Sequence, residues 1–151
     1  MTLLSPRDIE ARYRFAREIA RAAADLAFSF YQRRQSLAVE FKQGLQDVVS
    51  EADRRVEALI RRMINRRFPL DGFLGEESGG TNDSAACLWV VDPIDGTACF
   101  LNGLHTWCIA ISVVIDGEPT IGVVYDPNHR EMFRACRGQG AFLNGEPIGV
   151  H

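Results

Sequence analysis

Partway along this chain the spacing of apolar residues changes, and that change restricts the fold more than any other feature. Ile9, Tyr13, Ala16, Ile19, Ala20, Ala23, Leu26, Ala27 and Phe30 recur at three- and four-residue steps. That is the period of a long helix with a small, Ala-rich buried stripe. From Trp107 onward the apolar residues fall in short runs broken by Asp116-Gly117, Asp126-Pro127-Asn128 and Asn144-Gly145. Each break is a turn signal, and consecutive hairpins make an antiparallel meander. Helices followed by such strands predict an α+β layer arrangement, with two long helices packed on a largely antiparallel sheet. A length of 151 residues suffices for one compact unit with a sizeable core.

Ser5-Pro6 reads as an N-cap followed by Pro at the first helical position, with Asp8 completing a capping-box pattern. The first helix is expected to end near Arg34. Leu37 to Lys42 alternates apolar and polar residues as a short strand would, and Asp47 to Ser50 reads as a second extended piece. Ser50 then caps a helix that buries Ala52, Val56, Leu59, Ile60 and Met63, with Pro69 as its limit. Leu88 to Val91 is a brief apolar strand, and a helical turn is expected near Cys99 to Asn102. Strands follow over 107–115, 120–125, 131–135 and 141–143. Gly79 to Ala86 is the most flexible candidate segment.

The stretch Trp89-Val90-Val91-Asp92-Pro93-Ile94-Asp95-Gly96-Thr97 carries the chemistry. An apolar run ends in two carboxylates three residues apart, stiffened by Pro93. Hard divalent cations take oxygen ligands, and a metal pair needs a shared carboxylate. The residues after Asp95 can open a helix whose N–H groups face an anion. Asp-Pro and Asp-Gly are equally ordinary turn dipeptides. Two features favour the chemical reading: a second acidic pair at Glu76-Glu77, and the lack of Asp, Glu, Lys or Arg between Thr97 and Asp116.

Composition excludes several alternatives. A net charge of −3 argues against a general nucleic-acid binder, and the paired arginines (Arg33-Arg34, Arg54-Arg55, Arg61-Arg62, Arg66-Arg67) read as solvated helix faces. The four cysteines show no metal-type spacing with the three histidines, and read as reduced thiols in the cytoplasm. No signal peptide is visible, and no apolar run reaches membrane-spanning length.

Several separate motifs occur together in this order: Lys42 with Asp47-Val48-Val49-Ser50 and Asp53; Gly75-Glu76-Glu77; Trp89 to Thr97 with Phe100; Gly122-Val123-Val124-Tyr125; and Gly138 to Gly145. In this respect the chain resembles the inositol monophosphatase family of magnesium-dependent, lithium-sensitive phosphomonoesterases, over nearly its whole length. The resemblance implies the N-terminal half of a layered αβαβα sandwich. It implies Mg2+ held by Glu76, Asp92, Asp95 and the main-chain carbonyl of Ile94, with Asp92 bridging two ions. One metal would then activate a water while its neighbour stabilises the leaving alkoxide.

By the same resemblance Thr97 contacts that water, Asp53 is its hydrogen-bond partner, and Glu76 joins them as a catalytic residue. Read alone, Asp53 is more readily an acid in the first turn of a helix, complementing the macrodipole. Gly96 and Thr97 would hold phosphate oxygens. Lys42 and Asp47 resemble a mobile loop that helps close the site, although alone they read as a surface lysine and a turn acid. Glu77 would support the ligands by hydrogen bonding, and His105 and Trp107 read as core or rim. The substrate implied is a small phosphate ester, inositol monophosphate first, with no membrane or nucleic-acid partner and a homodimer at full length.

Two departures from the family pattern stand out. The family's Asn two residues after the Thr is here Cys99, preceded by Ala98. The Trp-Asp pair that supplies a third metal-binding acid from the family's other half is absent. The chain is therefore expected to be the N-terminal half of a longer enzyme, binding metal weakly and turning over slowly or not at all by itself. Rival functions are a 3′-phosphoadenosine 5′-phosphate nucleotidase, a fructose 1,6-bisphosphatase or a histidinol-phosphate phosphatase of the same superfamily. A non-catalytic interaction module, of the kind some bacterial relatives use toward the transcription machinery, is a further rival.

Overall fold

The computed structural model describes residues 4–40, 44–82 and 84–151. Helix α1 (Pro6–Glu40) opens on the expected capping box. The Asp8 amide donates to Ser5 Oγ at 3.2 Å, and the Ser5 amide reaches back to Asp8 Oδ2 at 2.9 Å. Its buried stripe is Tyr13, Ala16, Ile19, Ala20, Ala23, Ala24, Ala27 and Tyr31, and the run of alanines lets neighbouring backbone approach closely. Helix α2 (Leu45–Arg67) packs against α1 and buries Val49, Ala52, Val56, Ile60 and Ile64.

Four expectations about this region are corrected. The first helix does not stop near Arg34, and residues 37–40 are helical rather than extended. Leu, Ala and Glu propagate an existing helix at little cost, and so short an alternation does not oppose that. Lys42, at the end of the expected strand, lies outside the described residues. Asp47 to Ser50 is likewise helical, and the N-cap is Gly44, with extended backbone, instead of Ser50. Val48 and Val49 are buried in step with Ala52 and Val56, so the three-and-four period simply begins one turn earlier.

The strands are β1 (Gly72–Gly75), β2 (Gly79–Thr81), β3 (Cys87–Asp95), β4 (Cys108–Ile115), β5 (Glu118–Asp126), β6 (Glu131–Cys136), β7 (Gly140–Leu143) and β8 (Glu146–Ile148). A short helix, α3 (Thr97–Leu101), follows β3. They form one sheet in the order β2-β1-β3-β4-β5-β6-β7-β8. Among the described residues only the β1–β3 pairing is parallel, so the sheet is mixed but largely antiparallel. The turns Asp116-Gly117 and Asn144-Gly145 have positive φ at both residues, as two-residue hairpin turns of this hand require. The segment expected to be most flexible contains β2, paired to β1.

Helices α1 and α2 lie on one face of this sheet. In β4 the residues Ile109, Ile111, Val113 and Ile115 are buried toward them, while Ala110, Ser112 and Val114 are only half-buried. The opposite face is apolar and open. Leu74, Val90, Ser112, Gly122 and Ala135 pair across five strands, with Ala110, Val124 and Phe133 beside them. Leu74 and Val124 are 40% and 38% exposed. A buried polar staple fastens α1 to β3. Arg12 Nε and Nη2 donate to the two Asp71 oxygens, each at 2.8 Å, and Trp89 Nε1 donates to the same carboxylate at 2.9 Å.

Candidate active site

The acids of the Asp-Pro-Ile-Asp stretch sit at the end of β3, where the strand departs from regularity. Residues three apart in a regular strand point to opposite faces. Here Asp92 pairs with Ala110 and Asp95 with Cys108, so β3 carries one residue more than β4 between the same rungs. Pro93 cannot donate to the ladder, which suits it to such a bulge. The extra residue returns Asp95 to the face of Asp92, the open face of the sheet. Cys108 Sγ approaches Asp95 Oδ2 at 3.8 Å, and burial beside Asp95 and Asp92 pushes that thiol up to about 12.

Glu76 and Glu77 occupy the exposed turn between β1 and β2, beside the end of β3 because Gly75 pairs with Val91. Asp53 comes from α2 and is 7% exposed. Burial raises its pKa to about 7, and Glu77, Glu76, Asp92 and Glu57 add to the shift in that order. Burial also raises Asp92, to about 6, followed by the charges of Glu76 and Asp95, while the Ile94 amide pulls the other way. The fold therefore gathers residues from three separate parts of the sequence, with Glu76 and Asp92 within electrostatic reach of Asp53, and Glu76 and Asp95 within reach of Asp92. Asp53 Oδ1 and Asp92 Oδ1 are both buried without a hydrogen-bond partner.

Those two orphaned oxygens are the structural test of whether a cation fits. A buried carboxylate oxygen with no donor needs a proton, a water or a metal, and an all-oxygen set suits a hard ion such as Mg2+. Among the described residues, however, no three His, Cys, Asp or Glu side chains close into a metal cage. The arrangement fits a partial ligand set.

The remaining expected residues are placed less uniformly. Gly96 holds a left-handed backbone (φ 89°) as the N-cap of α3, and Thr97 opens that helix. Thr97 Oγ1 donates to the Ile94 carbonyl at 3.3 Å, and Asp53 Oδ1 is unpartnered. No hydrogen bond between Asp53 and Thr97 is formed here. Asp47 lies exposed in the first turn of α2, not in a loop, and Lys42 is outside the described residues.

Behind α3, Phe100, Trp107 and Tyr31 form an aromatic cluster with ring centroids 4.9–5.4 Å apart. Trp107 thus belongs to the core.

Sequence reasoning missed Glu57. Its carboxylate accepts the Glu77 amide at 3.0 Å and the Ser78 amide at 2.7 Å. The available signal was an acid four residues after Asp53 in the buried stripe of α2.

The comparisons with known proteins agree with this architecture. The family described as "Inositol monophosphatase family" matches residues 8–151. The chain is 40% identical to the inositol-1-monophosphatase of Synechocystis sp., over 98% of this chain and 51% of that protein. It is 39% identical to the histidinol-phosphatase of Chlorobaculum parvum, over 89% of this chain and 51% of that protein. The solved inositol monophosphatase of Anabaena (Nostoc) sp. superposes with a TM-score of 0.81 at 33% identity, covering 95% of this chain and 51% of that one. The chain thus spans about half the length of the curated relatives it matches. With the family pattern running from residue 8 to the last residue, the chain belongs to the inositol monophosphatase family.

Proposed function

We propose that residues 1–151 form the N-terminal half of a Mg2+-dependent phosphomonoesterase that hydrolyses a small phosphate ester by direct attack of water. The single observation carrying this reading is the convergence of carboxylates around two buried, unpartnered oxygens, Asp53 Oδ1 and Asp92 Oδ1. Charge repulsion of that kind is relieved by a cation, and the donors are all oxygen.

In this reading Asp92, Glu76, Asp95 and the Ile94 carbonyl hold Mg2+. When bound, the metal lowers the pKa of water and stabilises charge on the leaving oxygen. Asp53 Oδ1, buried and without a donor, would accept a proton from that water. Thr97 Oγ1, already donating to Ile94, keeps lone pairs with which to orient the attacking water. The N–H groups of Gly96 and Thr97 receive phosphate oxygens at the start of α3. Asp47 and Lys42 would help close the site.

Inositol monophosphate is the first substrate proposed. Histidinol phosphate is the second, because the Chlorobaculum protein matches almost as well. 3′-Phosphoadenosine 5′-phosphate is the third. We further propose a homodimer at full length, working in the cytoplasm; no helix among the described residues is long and apolar enough to cross a membrane.

The test is phosphate release from each ester, with Mg2+ or with chelator, by the 151-residue chain and by the longer protein carrying both halves. The expected outcome is Mg2+-dependent release by the longer protein, little by this chain, and loss of release in Asp92→Asn. Full activity of the 151 residues alone would refute the half-enzyme reading. No release from any ester by the longer protein would refute the hydrolase itself.

A further inference from the structure

We propose that Glu57 is the positioning residue of the acidic turn, clamping the Glu77 and Ser78 amides so that Glu76 is presented to the cation. The proposal rests on the reading of Glu76 as a metal ligand. Glu57 is 2% exposed, and both of its oxygens are engaged by the turn, Oε1 by Glu77 at 3.0 Å and Oε2 by Ser78 at 2.7 Å. Charge-assisted bonds from backbone N–H groups to a carboxylate are about twice as strong as neutral ones. The turn has little else to fix it. Residues 76–80 are exposed, and β2 is a three-residue strand at the rim of the sheet.

A second observation points the same way. A Cβ on Gly75 would stand 2.3 Å from Glu57 Oε1 and 2.5 Å from its Cδ, so the residue before Glu76 is small where the clamp passes. Asp53 and Glu57 lie one helical turn apart on the buried side of α2. One helix therefore supplies both the proposed proton acceptor and the support of a proposed ligand. Groups that orient metal ligands from behind typically change affinity by about 10–100-fold when removed.

The experiment uses the 151-residue chain with Mn2+ as the probe, its binding read from the loss of the free-ion electron paramagnetic resonance signal. Amide hydrogen exchange is followed in the same samples. Glu57→Gln keeps the volume but presents an NH2 group to one of the two amides. It is expected to weaken Mn2+ binding by about 10–100-fold and to speed exchange at Glu77 and Ser78, while amides of β4 and β5 keep their protection. Gly75→Ala, which leaves Glu57 in place but displaces its carboxylate, is expected to reproduce the affinity loss.

Unchanged Mn2+ affinity in both variants, with the wild type binding, would overturn the positioning role and leave the metal reading standing. Unchanged exchange at Glu77 and Ser78 in Glu57→Gln would overturn the clamp. A wild-type chain that binds no Mn2+ would overturn the metal reading of Glu76, and the positioning role with it.

Discussion

Asp92 and Asp95 were readable as a pair from residue type and spacing, but the reason they share one face of the sheet was not. It lies in the one-residue bulge of β3, which depends on pairing with β4. Glu57 was invisible for a related reason: nothing in the sequence says that the Glu77 and Ser78 amides end beneath it. Two predictions belong at this scale. Asp92→Asn should weaken divalent-cation binding by more than about 100-fold, beyond the effect of a merely supporting group, as measured by titration calorimetry. The second concerns Asp53, whose folded pKa of about 7 stands above its ordinary 3.8. The folded state therefore holds that proton more tightly than the unfolded one. The stability this contributes is fully present below about pH 4 and is lost as pH rises through 7. Without divalent cation, the melting temperature should fall between pH 5 and pH 8, and Asp53→Asn should flatten that slope.

At the scale of elements, the sequence was most legible where the pattern was long and least legible at boundaries. The α1 stripe and the meander followed from sustained periodicity. The α1–α2 junction was misread because a short alternation, Leu37 to Lys42, outweighed good helix formers, and because Ser50 is a better N-cap type than Gly44. The staple from α1 to β3 carried no local signal, since Arg12, Asp71 and Trp89 are far apart in sequence. Removing one partner of such a buried pair leaves the other uncompensated. Asp71→Ala should cost about 3–5 kcal/mol in chemical denaturation. Gly96→Ala tests the corner between β3 and α3. A left-handed φ of 89° combines there with a Cβ that would stand 2.8 Å from the Thr106 carbonyl oxygen. A loss of at least about 1–2 kcal/mol is expected, with β4 hydrogen exchange faster near Trp107.

Among the described residues, both long helices lie on one side of the sheet. Asp92 and Asp95 lie at the rim of the uncovered side, which under the proposed function is where further metal ligands would come from. The alternation that made this sheet predictable could not say what covers its second face, because Ala110, Ser112 and Val114 suit a lightly covered surface as well as a dry one. Divalent cation should stabilise the folded chain by mass action. At about 100 times its dissociation constant, Mg2+ adds about 2.7 kcal/mol, a rise of about 5–11 °C in melting temperature for a chain of this size, read by scanning calorimetry.

The two outermost strands, β2 and β8, are only three residues long, and Pro147 in β8 has no amide hydrogen to offer. Another chain seeking to extend the hydrogen-bonded ladder sideways would find almost nothing to grip. Ribbon-like fibres grown rim to rim are thereby disfavoured, even though so much oily surface is bare. Association across the strands, as a lid sits on a tray, is favoured over association along their edges.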